Sequence, residues 1–174
     1  MIDAEGNVVF PFYQRELTEM FGTPQECERV YLKTMDFSEF AGAFSHVLDY
    51  ERNPWGHRIY GNYIMEAPLR CAFRLLVERG LANEFRTYDG CHNIRRSKSG
   101  GIYSVHSWGL AVDFNADSNG YGEEPSLSPE FVKCFAECGF EWGGLWSSTP
   151  DGMHFQLPWI KDRTGPLAPV AWGG

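Results

Sequence analysis

Residues 104–115 read Ser-Val-His-Ser-Trp-Gly-Leu-Ala-Val-Asp-Phe-Asn. An imidazole, His106, and a carboxylate, Asp113, stand seven residues apart with Gly109 between them. The run Leu110 to Asn115 is predicted to be a strand, whose alternation puts Ala111, Asp113 and Asn115 on one face and Val112 and Phe114 on the other. His106 falls on the turn entering that strand. Gly109 accepts positive φ, so the backbone there can bend until the two polar side chains converge.

A second stretch, residues 140–157 (FEWGGLWSSTPDGMHFQL), is its counterpart. It is predicted to form two short strands, around Phe140–Trp142 and Met153–Leu157. His154 lies on the second, with Asp151 three residues earlier across a Pro150/Gly152 turn. Outward from these motifs, Met65–Arg79 is predicted to be a helix: Met65, Leu69, Ala72, Phe73 and Leu76 recur at helical spacing and Gly80 stops it. Ser128-Pro129-Glu130 opens another with an N-cap, a first-turn proline and an acidic residue, and Gly139 ends it. Residues 12–21 form a short amphipathic segment, Arg29 to Thr34 and residues 83–89 look strand-like, and residues 51–61 and 90–103 read as loops. Helices interspersed with short strands and close turns predict an α+β fold with a small antiparallel sheet flanked by helices.

At 174 residues the chain fits one domain with a core of its own. Aromatic residues make up 16% of it, which fits a rigid core or a groove lined with rings equally well. The charge is 15 − 23 = −8 with no long basic run, which argues against nucleic acid as a partner. Arg86, Arg95, Arg96 and Lys98 make residues 83–101 locally positive, a patch that suits an anionic ligand or is simply solvated. No apolar stretch is long enough to span a bilayer. The start, MIDAEGNVVF, lacks the basic and apolar regions of a secretory leader, so the expectation is a soluble protein made in the cytoplasm. The five cysteines, Cys27, Cys71, Cys91, Cys134 and Cys138, match no zinc-knuckle spacing and are expected to be buried, reduced thiols.

Two imidazoles and one carboxylate are a suitable ligand set for catalytic zinc, leaving a fourth position for solvent. Zinc lowers the pKa of coordinated water from about 16 to about 7. A further carboxylate must then move the proton to the leaving amine, and Asp151 is placed for that task. Arg95 or Arg96, just before His106, could hold an oxyanion or a substrate carboxylate, for which a forked guanidinium is well suited. Each residue alone has a commoner structural reading; their combination is what points to chemistry. His46 and His57 have no partner at ligand spacing, and His92 reads as structural. Asp117, Glu123 and Glu124 read as solvated charge, and no carboxylate pair suggests a glycosidase.

The pattern Ser104-x-His106-x-x-Gly109-x-Ala111-x-Asp113, then Trp142-Gly143-Gly144, then Asp151-x-x-His154-Phe155, closely resembles the D-alanyl-D-alanine carboxypeptidase and L-alanyl-D-glutamate endopeptidase family of zinc metallopeptidases. That family includes phage endolysins and shares its fold with the hedgehog signalling domain. The resemblance covers roughly residues 65–158. It implies a hedgehog/DD-peptidase-like fold with one zinc ion in a surface cleft, held by His106, Asp113 and His154. It further implies Asp151 as general base, Arg95 as the substrate or transition-state arginine and Ser104 as support through hydrogen bonds. Trp108, Trp142 and Trp146 read as core or cleft wall, where a ring could stack on substrate. Gln156 stands where Glu often follows the His-Phe pair, and Arg96 beside Arg95 leaves that register open. Residues 1–60 have no assigned counterpart.

The expected activity is hydrolysis of a peptidoglycan stem-peptide bond by a monomer, most readily the L-alanyl-D-glutamate link in the manner of an endolysin. The absence of a leader and the small size favour a phage-type lysin acting on the cell wall. The D-alanyl-D-alanine carboxypeptidase reaction and a non-catalytic zinc-binding domain of the same fold are the alternatives.

Overall fold

The computed structural model describes residues 11–98 and 101–157. The leader reading of the first ten residues therefore lies outside the described residues, as do residues 158–174. Helices α1 (Pro11–Phe21) and α2 (Pro24–Tyr31) come first. A capping box fixes the start of α2: the Thr23 hydroxyl accepts from Glu26 N, and the Glu26 carboxylate accepts from Thr23 N. The helix this nucleates runs to Tyr31, so the strand expected from Arg29 begins only at Leu32.

That strand, β1 (Leu32–Asp36), pairs antiparallel with β3 (Arg58–Asn62), from Leu32 opposite Asn62 to Asp36 opposite Arg58. The stretch expected to be a loop over 51–61 thus ends in a strand. Its partner lies more than twenty residues upstream, where local turn signals carry no information about it.

The second sheet contains β2 (Leu48–Asp49), β4 (Thr87–Gly90), β5 (Ala111–Phe114), β6 (Glu141–Trp142) and β7 (His154–Gln156), in the order β2-β4-β5-β7-β6. Its pairings are antiparallel except β2 with β4, which run parallel. The expected purely antiparallel sheet is corrected there. Helix α3 (Glu66–Glu78) lies between β2 and β4 in the chain, and such a crossover brings the next strand back in the same direction.

Helix α4 (Pro129–Glu137) begins at Ser128, whose hydroxyl accepts from Phe131 N, and packs on α3. The two helices and one sheet face enclose an aromatic core. Phe73 of α3 lies 5.6 Å from Phe85 in a stacked arrangement and edge-on to Phe37, Phe44 and Phe114. Phe135 of α4 meets Phe114 at 5.2 Å and Phe155 at 4.5 Å. These rings are fully buried, so most of the phenylalanine content builds the core. Each buried ring contributes about 1.5–3 kcal/mol. Strand alternation sends Val112, Phe114 and Phe155 into this core, and Ala111, Asp113, His154 and Gln156 to the opposite face.

Asn115 does not continue β5 as expected. It adopts φ 55°, and its amide accepts from Arg86 N and Thr87 N while donating to the Glu84 carbonyl. An asparagine tolerates this left-handed backbone and satisfies three main-chain groups at and just before the start of β4.

Among the described residues no helix is long and apolar enough to cross a membrane.

The cysteines depart from expectation. Cys71 of α3 and Cys138 at the end of α4 form a disulfide, with Cα atoms 5.9 Å apart across 67 residues of chain. Cys27, Cys91 and Cys134 are free and buried, as expected of reduced thiols. A bonded pair persists in oxidising surroundings, so the expectation of five reduced thiols is corrected for Cys71 and Cys138. Reduction should lower the unfolding free energy by about 2–4 kcal/mol. Urea titrations with and without a phosphine reductant should show the midpoint falling; an unchanged midpoint would mean that the link contributes nothing.

Candidate metal centre and cleft

His106 enters the site on a 3-10 turn, Val105–Trp108, capped by the Ser104 hydroxyl, which accepts from His106 N at 3.4 Å. The turn ends at Gly109 with φ 65°. A Cβ there would stand 2.6 Å from the backbone nitrogen of Asn62, so glycine is required by contact as well as by dihedral. Asn62 N donates to the Gly109 carbonyl, and the Asn62 amide donates to the Trp108 carbonyl. The turn is thereby tied to β3, in a part of the chain that the sequence motifs do not reach.

Asp113 and His154 are directly opposed in the β5–β7 pairing. Asp113 Oδ1 lies 3.2 Å from His106 Nε2 and 3.5 Å from His154 Nδ1. The three donor atoms all fall within 4.8 Å of one another. The far nitrogen of each ring is engaged: His106 Nδ1 lies 2.7 Å from the Cys91 carbonyl, and His154 Nε2 lies 2.7 Å from Gln156 Oε1. A carbonyl oxygen only accepts, so each far nitrogen carries the proton and the near nitrogen presents its lone pair.

Three lone-pair-bearing atoms aimed at a common point repel one another unless a cation stands among them. His106 Nε2 and Asp113 Oδ1 are both buried without a hydrogen-bond partner. The donor set and its orphaned atoms therefore fit a divalent ion such as zinc. The same geometry governs titration. Burial works to raise the Asp113 carboxyl, but the imidazoles, when a proton on the near nitrogen takes the place of a cation, outweigh it through charge and hydrogen bonding and hold the group well below the usual carboxylate range. Burial works to lower His154, yet Asp113 and Gln156 raise it on balance.

Asp151 sits beside this cluster, with Oδ2 4.0 Å from His154 Nδ1 and Oδ1 buried without a partner. Burial raises its carboxyl above the ordinary value, against the opposing pull of His154. Asp151 N donates to the Gly143 carbonyl, and a Cβ on Gly143 would meet Asp151 O at 2.6 Å. The Trp142 indole donates to the Gly152 carbonyl at 2.8 Å and stacks on Phe155. The Trp-Gly-Gly segment is thus the mould for the turn that carries Asp151.

Asp151 and His154 line a cleft of about 520 Å³, with Arg95, Lys98, Ser104 and Trp146. Of the four cations in the locally positive stretch, Arg95 and Lys98 reach this cleft. Arg96 instead lies over the Tyr103 ring at 4.1 Å and donates to the Gly101 carbonyl. Arg86 donates to Ser118 Oγ and lines a separate hollow. His46 and His57 contact main-chain carbonyls, and His92 packs edge-on against Tyr60. Helix α1 adds Gln14 and Leu17 to the cleft, with Gln14 Oε1 accepting from Tyr103 N. Nothing in the sequence signalled that contribution, because it depends on how α1 docks. The same holds for the Cys91 carbonyl and for Glu141, which accepts from Gln156 and Trp146.

Residues 97–157 match the family model described as D-alanyl-D-alanine carboxypeptidase. The match covers a little over a third of the chain and contains His106, Asp113, Asp151 and His154. Over these residues the chain is similar to that carboxypeptidase family. No curated protein and no solved structure gives a match.

Gly109→Ala should cost about 2–4 kcal/mol, combining left-handed strain with the clash at Asn62. Thermal unfolding should register it as a lower Tm; a Tm equal to that of the parent would show that the turn is not held by this close approach.

Proposed function

We propose that this chain is a zinc-dependent endopeptidase of the peptidoglycan stem, cutting the L-alanyl-D-glutamate bond, within the family whose model its residues 97–157 match. The observation that carries the reading is the convergence of His106 Nε2, His154 Nδ1 and Asp113 Oδ1 beside the unpartnered Asp151 Oδ1. In this reading residues 1–174 act as one peptidase domain and as a monomer, and the first sixty residues shape the cleft.

His106, Asp113 and His154 hold one zinc ion. When bound, the ion supplies a Lewis acid for the scissile carbonyl and lowers the pKa of water. Asp151 takes the proton from the attacking water at its carboxylate and returns it to the leaving amine nitrogen. A carboxyl raised by burial is a better match for that two-way transfer than an ordinary, fully solvated aspartate. Arg95 binds a substrate carboxylate or the developing oxyanion in the cleft. Ser104 supports the turn carrying His106, and Trp142 supports the turn carrying Asp151.

The cleft of about 520 Å³ accommodates several stem residues, which an internal cut uses on both sides of the bond. The second reading, terminal D-alanyl-D-alanine cleavage, draws on the description of the matching family model. Both substrates offer a carboxylate to Arg95 and Lys98.

Mass spectrometry of digested peptidoglycan separates them. New amino-terminal D-Glu is expected; free D-Ala would transfer the assignment to the carboxypeptidase. Zinc binding with no cleavage of either bond would leave a zinc-binding domain without catalysis.

His154→Ala should lose zinc and hydrolysis together, by metal analysis and turnover on purified walls. Asp151→Asn should keep its zinc and lose at least about 100-fold in kcat, the lower end of general-base contributions; a near-parental rate would remove Asp151 from the base role. Arg95→Ala should lower activity with zinc retained, whereas the same loss in Arg96→Ala alone would move that role one residue along.

A further inference from the structure

Glu141 lies outside the ligand set, yet two routes lead from it to His154, one through Gln156 and one through Trp146. In the β6–β7 pairing it stands directly opposite Gln156. Its Oε2 accepts from Gln156 Nε2 at 3.3 Å, and its Oε1 accepts from the Trp146 indole at 3.0 Å. Gln156 Oε1 in turn lies 2.7 Å from His154 Nε2. Trp146 closes the loop, with its ring 5.2 Å from the His154 ring at the cleft wall.

These contacts have a direction. An ionised carboxylate can only accept, so Gln156 must turn its NH2 end to Glu141. The carbonyl end then faces His154 and demands a proton on Nε2. With the proton fixed there, Nδ1 keeps its lone pair toward Asp113 and His106. We propose that Glu141 is a positioning residue that sets the tautomer of His154 through the Gln156 amide, making His154 Nδ1 a metal donor. The metal-affinity consequence rests on the zinc reading above; the tautomer itself does not.

Glu141→Gln provides the test, because it preserves size and can still accept from Trp146. The amide introduced at 141 then points its NH2 at Gln156. Gln156 must reverse, presenting its own NH2 to His154 Nε2 and driving the ring proton to Nδ1. Adding Q156E to E141Q restores an acceptor between the new amide and His154, and with it the original tautomer.

Two readouts follow this logic. Zinc affinity, by competition with a chromophoric chelator, should fall about 10–100-fold in E141Q and return to within a few-fold of the parent in E141Q/Q156E. Nitrogen-15 correlations of the His154 ring in metal-free protein, at a pH above the imidazole titration, should show the proton on Nε2 in the parent, on Nδ1 in E141Q and on Nε2 again in the double variant. Parental zinc affinity in E141Q would overturn the proposal, as would a double variant no tighter than E141Q or a ring proton that never moves. A parent that takes up no zinc but shows the ring-proton switch would keep the Glu141 relay and sink only the metal reading.

Discussion

The antiparallel register that sets Asp113 opposite His154 is the constraint on which the molecule turns. Residues directly opposed across two strands stand about 5 Å apart, the right separation for two side chains to share one ion. A slip of β7 by one residue against β5 would turn His154 into the aromatic core and bring Phe155 out, leaving Asp113 without its partner. The core prevents that slip. Phe114 and Phe155 are wedged against Phe135 of α4, and a one-residue slip of β7 takes Phe155 out of that contact. Hydrophobic packing on one face therefore fixes a costly polar arrangement on the other.

That arrangement would not persist for its own sake. Two imidazole lone pairs and a carboxylate oxygen, brought together away from water, are destabilising until a cation or proton relieves them. Several parts of the structure work to keep them there. The left-handed Gly109 lets the His106 turn approach β3, the Cys91 carbonyl orients the His106 ring, and Gln156 orients that of His154. The Trp142–Gly143 segment shapes the turn that leaves Asp151 alongside but outside the triad.

How far this was legible in advance differs from element to element. Helices α3 and α4 were read nearly to the residue, because their apolar spacing, caps and terminal glycines are local signals. Strands β5 and β7 were legible from alternation and from the polar residues placed on a single face. By contrast, the turn formers of residues 51–61 carry no local sign of β3, since what makes it a strand is β1 across a long stretch of chain. The start of β1 was read too early because the capping box at Thr23 extends α2 past Val30. The Cys71–Cys138 link could not be read at all: it joins two helices whose packing is decided by the core.

The sequence by itself determined which side chains could bind a metal and which could move a proton, because donor chemistry and short-range spacing are written in the residue order. It pointed to Arg95 through the resemblance but left the register open to Arg96. Only the tertiary structure separated them, sending Arg95 to the cleft and laying Arg96 on Tyr103. It alone brought Glu141, the Cys91 carbonyl and the α1 residues Gln14 and Leu17 into the account. The reason is physical: hydrogen-bond direction, ring tautomer and cleft shape depend on where distant segments meet, and the packing of the whole core sets those meetings.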